Sequence, residues 1–151
     1  MKQFKTVDDI LDFAINAEQE AVDFYTGLAS RSKNEQMKTV FIEFAGEEMK
    51  HKSRLTGIKE NHSFQLPEEK VRDLKISDYL TDVVPTSDMT YPDALILAMK
   101  KEKNAFRLYM MLSEASADPG MKSLFLSLAT EESKHKLRFE VEYDEYILRE
   151  N

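Results

Sequence analysis

Glu48-x-x-His51 and Glu132-x-x-His135 stand 84 positions apart, and Glu18 with Tyr25 is matched at the same offset by Glu102 with Tyr109. The correspondence extends to cap, turn and core positions. Thr6 pairs with Thr90, Asp9 with Asp93, Asn34 with Asp118, Met37 with Met121, Phe41 with Phe125, Ala45 with Ala129 and Glu47 with Glu131. Solenoid repeats are shorter and need three or more copies to close a core. Two copies of so long a unit point instead to a helical bundle made of two helix pairs.

The helix boundaries follow from capping chemistry. Thr6-x-x-Asp9 is a capping-box-like start, with a hydroxyl to accept a backbone N–H and a carboxylate at the positive end of the helix dipole. It predicts a helix from about residue 7 to about residue 31. Asn34 caps a second, from about 35 to about 60; Thr90, with Pro92 in the first turn, opens a third to about 116; Asp118-Pro119 opens a fourth to about 148. The helix-to-helix connections are a few residues long, so each pair packs antiparallel.

Between the pairs, His62 to Thr90 contains Pro67 and Pro85 and lacks one sustained amphipathic period. This is a crossover, with Asp78 to Val84 as a candidate short helical turn. Fully extended it outspans the roughly 38 Å of a 25-residue helix. The expected architecture is all-α: a single domain over residues 1–151, built as a four-helix bundle of two antiparallel helix pairs joined by a long crossover.

Each helix carries a charged interruption on its apolar seam. Phe41, Phe44, Glu48, His51, Leu55 and Ile58 follow an alternating three-four spacing, as do Phe125, Leu128, Glu132, His135 and Phe139. The other two seams are Leu11, Ile15, Glu18, Val22, Tyr25 and Leu95, Ala98, Glu102, Ala105, Tyr109, Leu112. Glu18 and Glu48 each lie about 22 Å of helical rise from their shared turn, and Glu102 and Glu132 stand likewise about theirs. All six groups can therefore meet at mid-bundle. Buried ionised carboxylates are costly unless paired or metal-bound, and four together repel or take up protons. Two divalent cations would neutralise four Glu and leave His51 and His135 neutral.

Composition narrows the chemistry. With no Cys there are no disulfides, no thiolate ligands and no catalytic thiol, which fits a reducing compartment. The start, Met1 to Val7, lacks a signal-peptide core and no apolar run approaches the length of a membrane span, so a cytoplasmic location is expected. A net charge of −7 opposes nucleic-acid binding. Glu20, Glu43, Glu47, Glu131 and Lys100-Lys101 read as solvated faces, and His62 as a surface residue.

One Glu from each of two helices plus a Glu-x-x-His from each of the other two is the layout of ferritin-like di-iron and di-manganese carboxylate proteins. Through Ala17-Glu18 to Phe24-Tyr25, Glu47-Glu48-x-x-His51, Glu102 to Tyr109 and Glu131-Glu132-x-x-His135, the chain resembles the rubrerythrin-like branch of that superfamily over nearly its whole length. The resemblance implies bridging carboxylates at Glu48 and Glu132, terminal ligands at Glu18 and Glu102, and one His, His51 or His135, on each metal. It makes Tyr25 and Tyr109 candidates for hydrogen bonds to ligand carboxylates; a half-buried Tyr in the core is the plainer alternative. No catalytic residue is expected beyond the metal ligands.

Two departures qualify the resemblance. Rubrerythrins proper carry an extra Glu one turn after the third-helix ligand, where this sequence has Ala105, and they usually carry a Cys-ligated rubredoxin module, whereas this sequence has no Cys. Glu48-Met49-Lys50-His51 also resembles bacterioferritin, in which Met at that position binds haem between subunits; the rest of that match is poorer, so haem is not expected. The resemblance implies a di-iron oxidoreductase that reduces peroxide or dioxygen with an external donor such as a rubredoxin-like protein. A ferroxidase for iron handling and a redox-silent metal-binding protein are the alternatives. The donor set accepts Fe, Mn and Zn. A homodimer is expected, with Phe24, Met99, Phe106, Met110 and Met111 as a second apolar stripe for its interface or as part of a wide core.

Overall fold

The computed structural model describes residues 4–76, 85–86 and 88–150, and divides the chain into two compact units, residues 1–77 and 78–151. The described residues form α1 (Val7–Arg31), α2 (Glu35–Glu60), α3 (Glu68–Asp73), α4 (Tyr91–Ala115) and α5 (Pro119–Glu150), with no strand among them. The four long helices fall where the caps place them. Asp78 to Val84 lies outside the described residues.

Side chains set each helix start. Thr6 Oγ1 accepts from the Asp9 N–H at 3.2 Å while Asp9 Oδ2 accepts from the Thr6 N–H at 3.1 Å, completing the capping box of α1. Asn34 Oδ1 accepts from the Met37 N–H at 3.2 Å, and Thr90 Oγ1 from the Asp93 N–H at 3.2 Å. Asp118 Oδ2 accepts from the Met121 N–H at 2.9 Å. A Cβ on Gly120 would stand 3.0 Å from that same oxygen, so the glycine leaves room for the cap. Each such cap contributes about 1 kcal/mol.

The end of α2 needs a left-handed residue, and the chain supplies His62, at φ 53°. Around it the Ser63 N–H reaches Ile58 O at 3.1 Å and the His62 N–H reaches Lys59 O at 3.3 Å, the paired bonds of a Schellman closure. His is among the non-glycine residues that tolerate this region. Its side chain is exposed, as expected.

In the first unit α1 and α2 run antiparallel. Lys52 Nζ donates to Gln19 Oε1 at 2.6 Å and Lys59 Nζ to Asp12 Oδ1 at 2.6 Å, so the α1 partner falls in number as the α2 partner rises. Ile10, Leu11, Ala14, Leu28, Met37, Phe41, Leu55 and Ile58 are buried. Burying each large apolar side chain is worth about 1.5 to 3 kcal/mol. The inner stripe is wider than the seam predicted for α1, because Ile10, Ala14, Ala21 and Leu28 join it, while Ile15 and Val22 are only half-buried.

After α2 the chain buries Phe64, Val71 and Ile76, and Val71 sits in α3, an element absent from the sequence reading. Its cap residue, Pro67, makes no side-chain capping bond, and Val71 is its only buried residue. A single apolar anchor in one and a half turns has no period to detect.

In the second unit the antiparallel order of α4 and α5 shows in Tyr91 donating to Glu142 at 2.9 Å and Ser113 to Lys122 O at 2.8 Å. Leu95, Ala98, Leu108, Leu112, Phe125, Leu128 and Phe139 form its core. Phe24, Met99, Phe106, Met110 and Met111 are half-buried, whereas Ile42, Leu137 and Leu148 are the more exposed large apolar side chains. Among the described residues no helix is long and apolar enough to cross a membrane.

Candidate metal centre

Antiparallel packing of α1 on α2 brings Glu18 to the level of Glu48 and His51. All three side chains are buried, at 2%, 1% and 1% exposure. His51 Nδ1 stands 3.5 Å from Glu48 Oε1 and 3.6 Å from Glu18 Oε1. Glu48 and His51 share a helix face because they are three residues apart. The Lys52–Gln19 bond brackets this triad, since Gln19 follows Glu18 and Lys52 follows His51.

The second unit repeats the arrangement. Glu102 on α4 and Glu132 and His135 on α5 are 1%, 1% and 2% exposed. His135 Nδ1 stands 3.6 Å from Glu102 Oε2 and 3.9 Å from Glu132 Oε1. Each triad offers one ligand atom per residue, with the atoms of a triad within 4.8 Å of one another.

These separations suit a shared cation better than direct pairing. At 3.5 to 3.9 Å the nitrogen–oxygen distances exceed the normal range of a hydrogen bond. Ligands about 2.0 to 2.2 Å from one ion stand about 3 to 3.6 Å apart when adjacent in its shell, a range that holds three of the four separations and that His135–Glu132, at 3.9 Å, slightly exceeds. Two carboxylates and an imidazole form a hard, oxygen-rich donor set of the kind that takes first-row divalent metals. Ligation through Nδ1 would leave each ring proton on Nε2. The donor chemistry and the burial of these groups therefore fit a metal site.

Tyr25 and Tyr109 are both fully buried. Tyr25 meets Phe24 and Phe44 edge-on at 5.8 and 6.5 Å, and Tyr109 stacks on Phe125 at 6.5 Å. They fill the repeat-related place in the two cores, deeper than a half-buried position. Glu20 and Glu43 are exposed, as expected of solvated faces, while Glu47 and Glu131 are half-buried.

One buried carboxylate escaped the sequence reading. Glu142, 1% exposed, accepts hydrogen bonds from Tyr91 and Arg149. The signal was present, because Glu142 continues the three-four spacing of the α5 seam three residues beyond Phe139. Its repeat mate is Ile58, so it was invisible to an argument built on matched positions.

Long antiparallel helix pairs that each bury a Glu and a Glu-x-x-His define a carboxylate–histidine metal protein of the helical, ferritin-like kind. A family model described as Rubrerythrin matches residues 9–143, and the chain belongs to that family. No curated protein and no solved structure matches the chain.

Proposed function

We propose that this chain is a non-haem di-iron oxidoreductase that reduces peroxide or dioxygen with electrons from a donor outside these residues. The observation that carries the reading is the duplicated triad: in a Rubrerythrin-family chain, each unit buries a Glu and a Glu-x-x-His with their ligand atoms in reach of one ion. In this reading Glu48 and Glu132 would be the carboxylate ligands shared by two irons, Glu18 and Glu102 would be terminal ligands, and His51 and His135 would bind one iron each.

Charge supports the pairing of two triads with two divalent ions. Carboxylates ionised away from water repel one another in a low-dielectric interior, and an equal positive charge relieves that repulsion. Iron bound there would supply the redox chemistry and open coordination positions for an oxidant. The protein's part is to hold six ligands, exclude bulk water and keep both imidazoles neutral. Tyr25 and Tyr109 would steady ligand carboxylates from the buried core.

Position 105, where rubrerythrins proper have a further Glu, is Ala, and its repeat mate is Ala21. The two metals would then have matched ligand sets, with no extra carboxylate to move on or off one of them. A homodimer and a cytoplasmic location complete the proposal.

The test is metal content per chain after expression in iron-replete medium, followed by stopped-flow oxidation of the ferrous protein. Two irons per chain, lost in Glu48→Ala/Glu132→Ala, and oxidation by peroxide much faster than by dioxygen are expected. Equal metal in parent and variant would overturn the site. Full occupancy without reaction with either oxidant would make it redox-silent, and continued iron uptake by a large assembly would make it an iron store.

A further inference from the structure

Glu142 lies two turns beyond His135 on the same face of α5, about 10 Å along the helix. Its Oε2 accepts from the Tyr91 hydroxyl at 2.9 Å and from Arg149 Nη2 at 3.3 Å. Tyr91 in turn meets the half-buried ring of Tyr146, with centroids 5.1 Å apart and planes at 64°. The Arg149 guanidinium sits 5.8 Å from the centre of the Tyr146 ring.

In the first unit the residues matching Tyr91 and Glu142 are Val7 and Ile58, both buried. An apolar pair therefore suffices to pack this end of a helix hairpin. The second unit replaces it with a phenol and a buried carboxylate, a change that packing does not require and that burial of charge makes costly.

The chemistry this arrangement suits is proton-coupled electron loss. Burial first, then the hydrogen bond and the negative charge of Glu142, push the Tyr91 phenol well above its ordinary range. Tyr91 thus remains protonated at any working pH and can lose an electron readily only if its proton leaves too. Glu142 Oε2 stands at hydrogen-bond distance to receive it. Tyr91 lies about 16 Å along α4 from Glu102, a span that electrons cross by tunnelling through packed protein.

We propose that Tyr91 is a redox-active tyrosine that yields an electron to the metal centre when peroxide exceeds the external donor, with Glu142 taking its proton and Tyr146 the adjacent ring that can restore it. This rests on the di-iron reading above. Each event breaks the Tyr91 O–H bond, forms an O–H bond on Glu142 and removes one electron. A second event follows once Tyr146 has given an electron and its phenol proton to restore Tyr91 and Glu142 has passed its proton to solvent. The two electrons, with two protons from solvent, reduce one peroxide to two waters and leave one radical on each tyrosine. The cluster would drain oxidising equivalents away from the ligands when no donor arrives.

The test is freeze-quench electron paramagnetic resonance on iron-loaded protein given excess hydrogen peroxide without donor. A tyrosyl signal is expected, absent from Tyr91→Phe and reduced at least about tenfold in Glu142→Gln, below the usual cost of losing a positioned proton acceptor. Circular dichroism checks that both variants stay helical. Peroxide consumption without a radical, or an unchanged radical in Tyr91→Phe, would overturn the proposal.

A metal-free arm keeps the two readings apart. Photogenerated ruthenium(III) tris-bipyridine oxidises tyrosines without iron, and peptide mass spectrometry locates the products. Tyr91 should be oxidised ahead of Tyr143, also half-buried, with Glu142→Gln removing the preference. If the iron-loaded parent consumes no peroxide, the oxidoreductase reading fails, and this arm alone decides Tyr91: equal oxidation of the two tyrosines sinks it.

Discussion

Lys52 Nζ on α2 donates to Gln19 Oε1 on α1 at 2.6 Å, and each residue is the chain neighbour of a candidate ligand, His51 or Glu18. The bond holds the two helices in the register that sets Glu18 beside His51. In the second unit the matching positions are Lys136 and Lys103, and Lys136 pairs with Glu140 on its own helix. The first triad has a cross-helix brace at a place where the second has an intrahelical ion pair.

Replacing Lys52 by Met should therefore cost about 1 to 2 kcal/mol in urea denaturation, the lower end for a hydrogen bond to a charged group at a half-exposed site. Metal affinity should fall more than stability alone explains, with the first-unit ion leaving first on titration with a chelator. Parent-like chelation in the variant would show that the brace does not position Glu18.

Glu48→Gln should have opposite effects on the metal-free and metal-loaded protein. Without metal, an amide of the same shape takes one ionisable group out of the buried cluster and should raise the melting temperature. With metal, the parent should gain about 2.7 kcal/mol per site at a hundredfold excess over Kd, and the variant much less. Differential scanning calorimetry with and without ferrous iron reads both. A variant stabilised by metal as strongly as the parent would remove Glu48 from the ligand set.

The Tyr91 phenol has a folded pKa above its unfolded value near 10.0. The folded state then holds the proton more tightly, so this contribution is fully present below the unfolded value and is lost as pH rises from there toward the folded value. Above pH 10 the parent's unfolding free energy should therefore fall more steeply than that of Tyr91→Phe. Phenolate absorbance should report Tyr91 ionising together with unfolding. Identical slopes for the two proteins would contradict the shift.

Phe125 is fully buried and stacked on Tyr109, whereas Leu137, on the same helix, is 61% exposed. Phe125→Ala should cost about 3 to 5 kcal/mol and Leu137→Ala less than about 0.5 kcal/mol, as measured by chemical denaturation. A large loss in Leu137→Ala would mean that this face is covered in solution, and sedimentation would then show the covering copy.

Much of this protein is legible in one dimension because its signals are local or repeated. Thr6, Asn34, Thr90 and Asp118 each bond a backbone N–H three residues on, an interaction written into a few adjacent positions. The ligand candidates were readable because Glu and His stand where an apolar seam requires burial, and because the second unit repeats the first. The helix stop at His62 was less readable: it uses the left-handed conformation without the glycine that usually announces it.

What the sequence by itself determined is the four long helices, their antiparallel pairing and the six buried polar groups, since capping, periodicity and short turns act over a few residues. Only the tertiary structure decided which oxygen and nitrogen atoms approach one another, that α3 anchors the crossover through Val71, and that Glu142 is buried against Tyr91 and Arg149. Those outcomes depend on contacts between residues distant in the chain. Glu142 and Tyr91 are 51 positions apart, and no local rule couples them until α4 and α5 have packed.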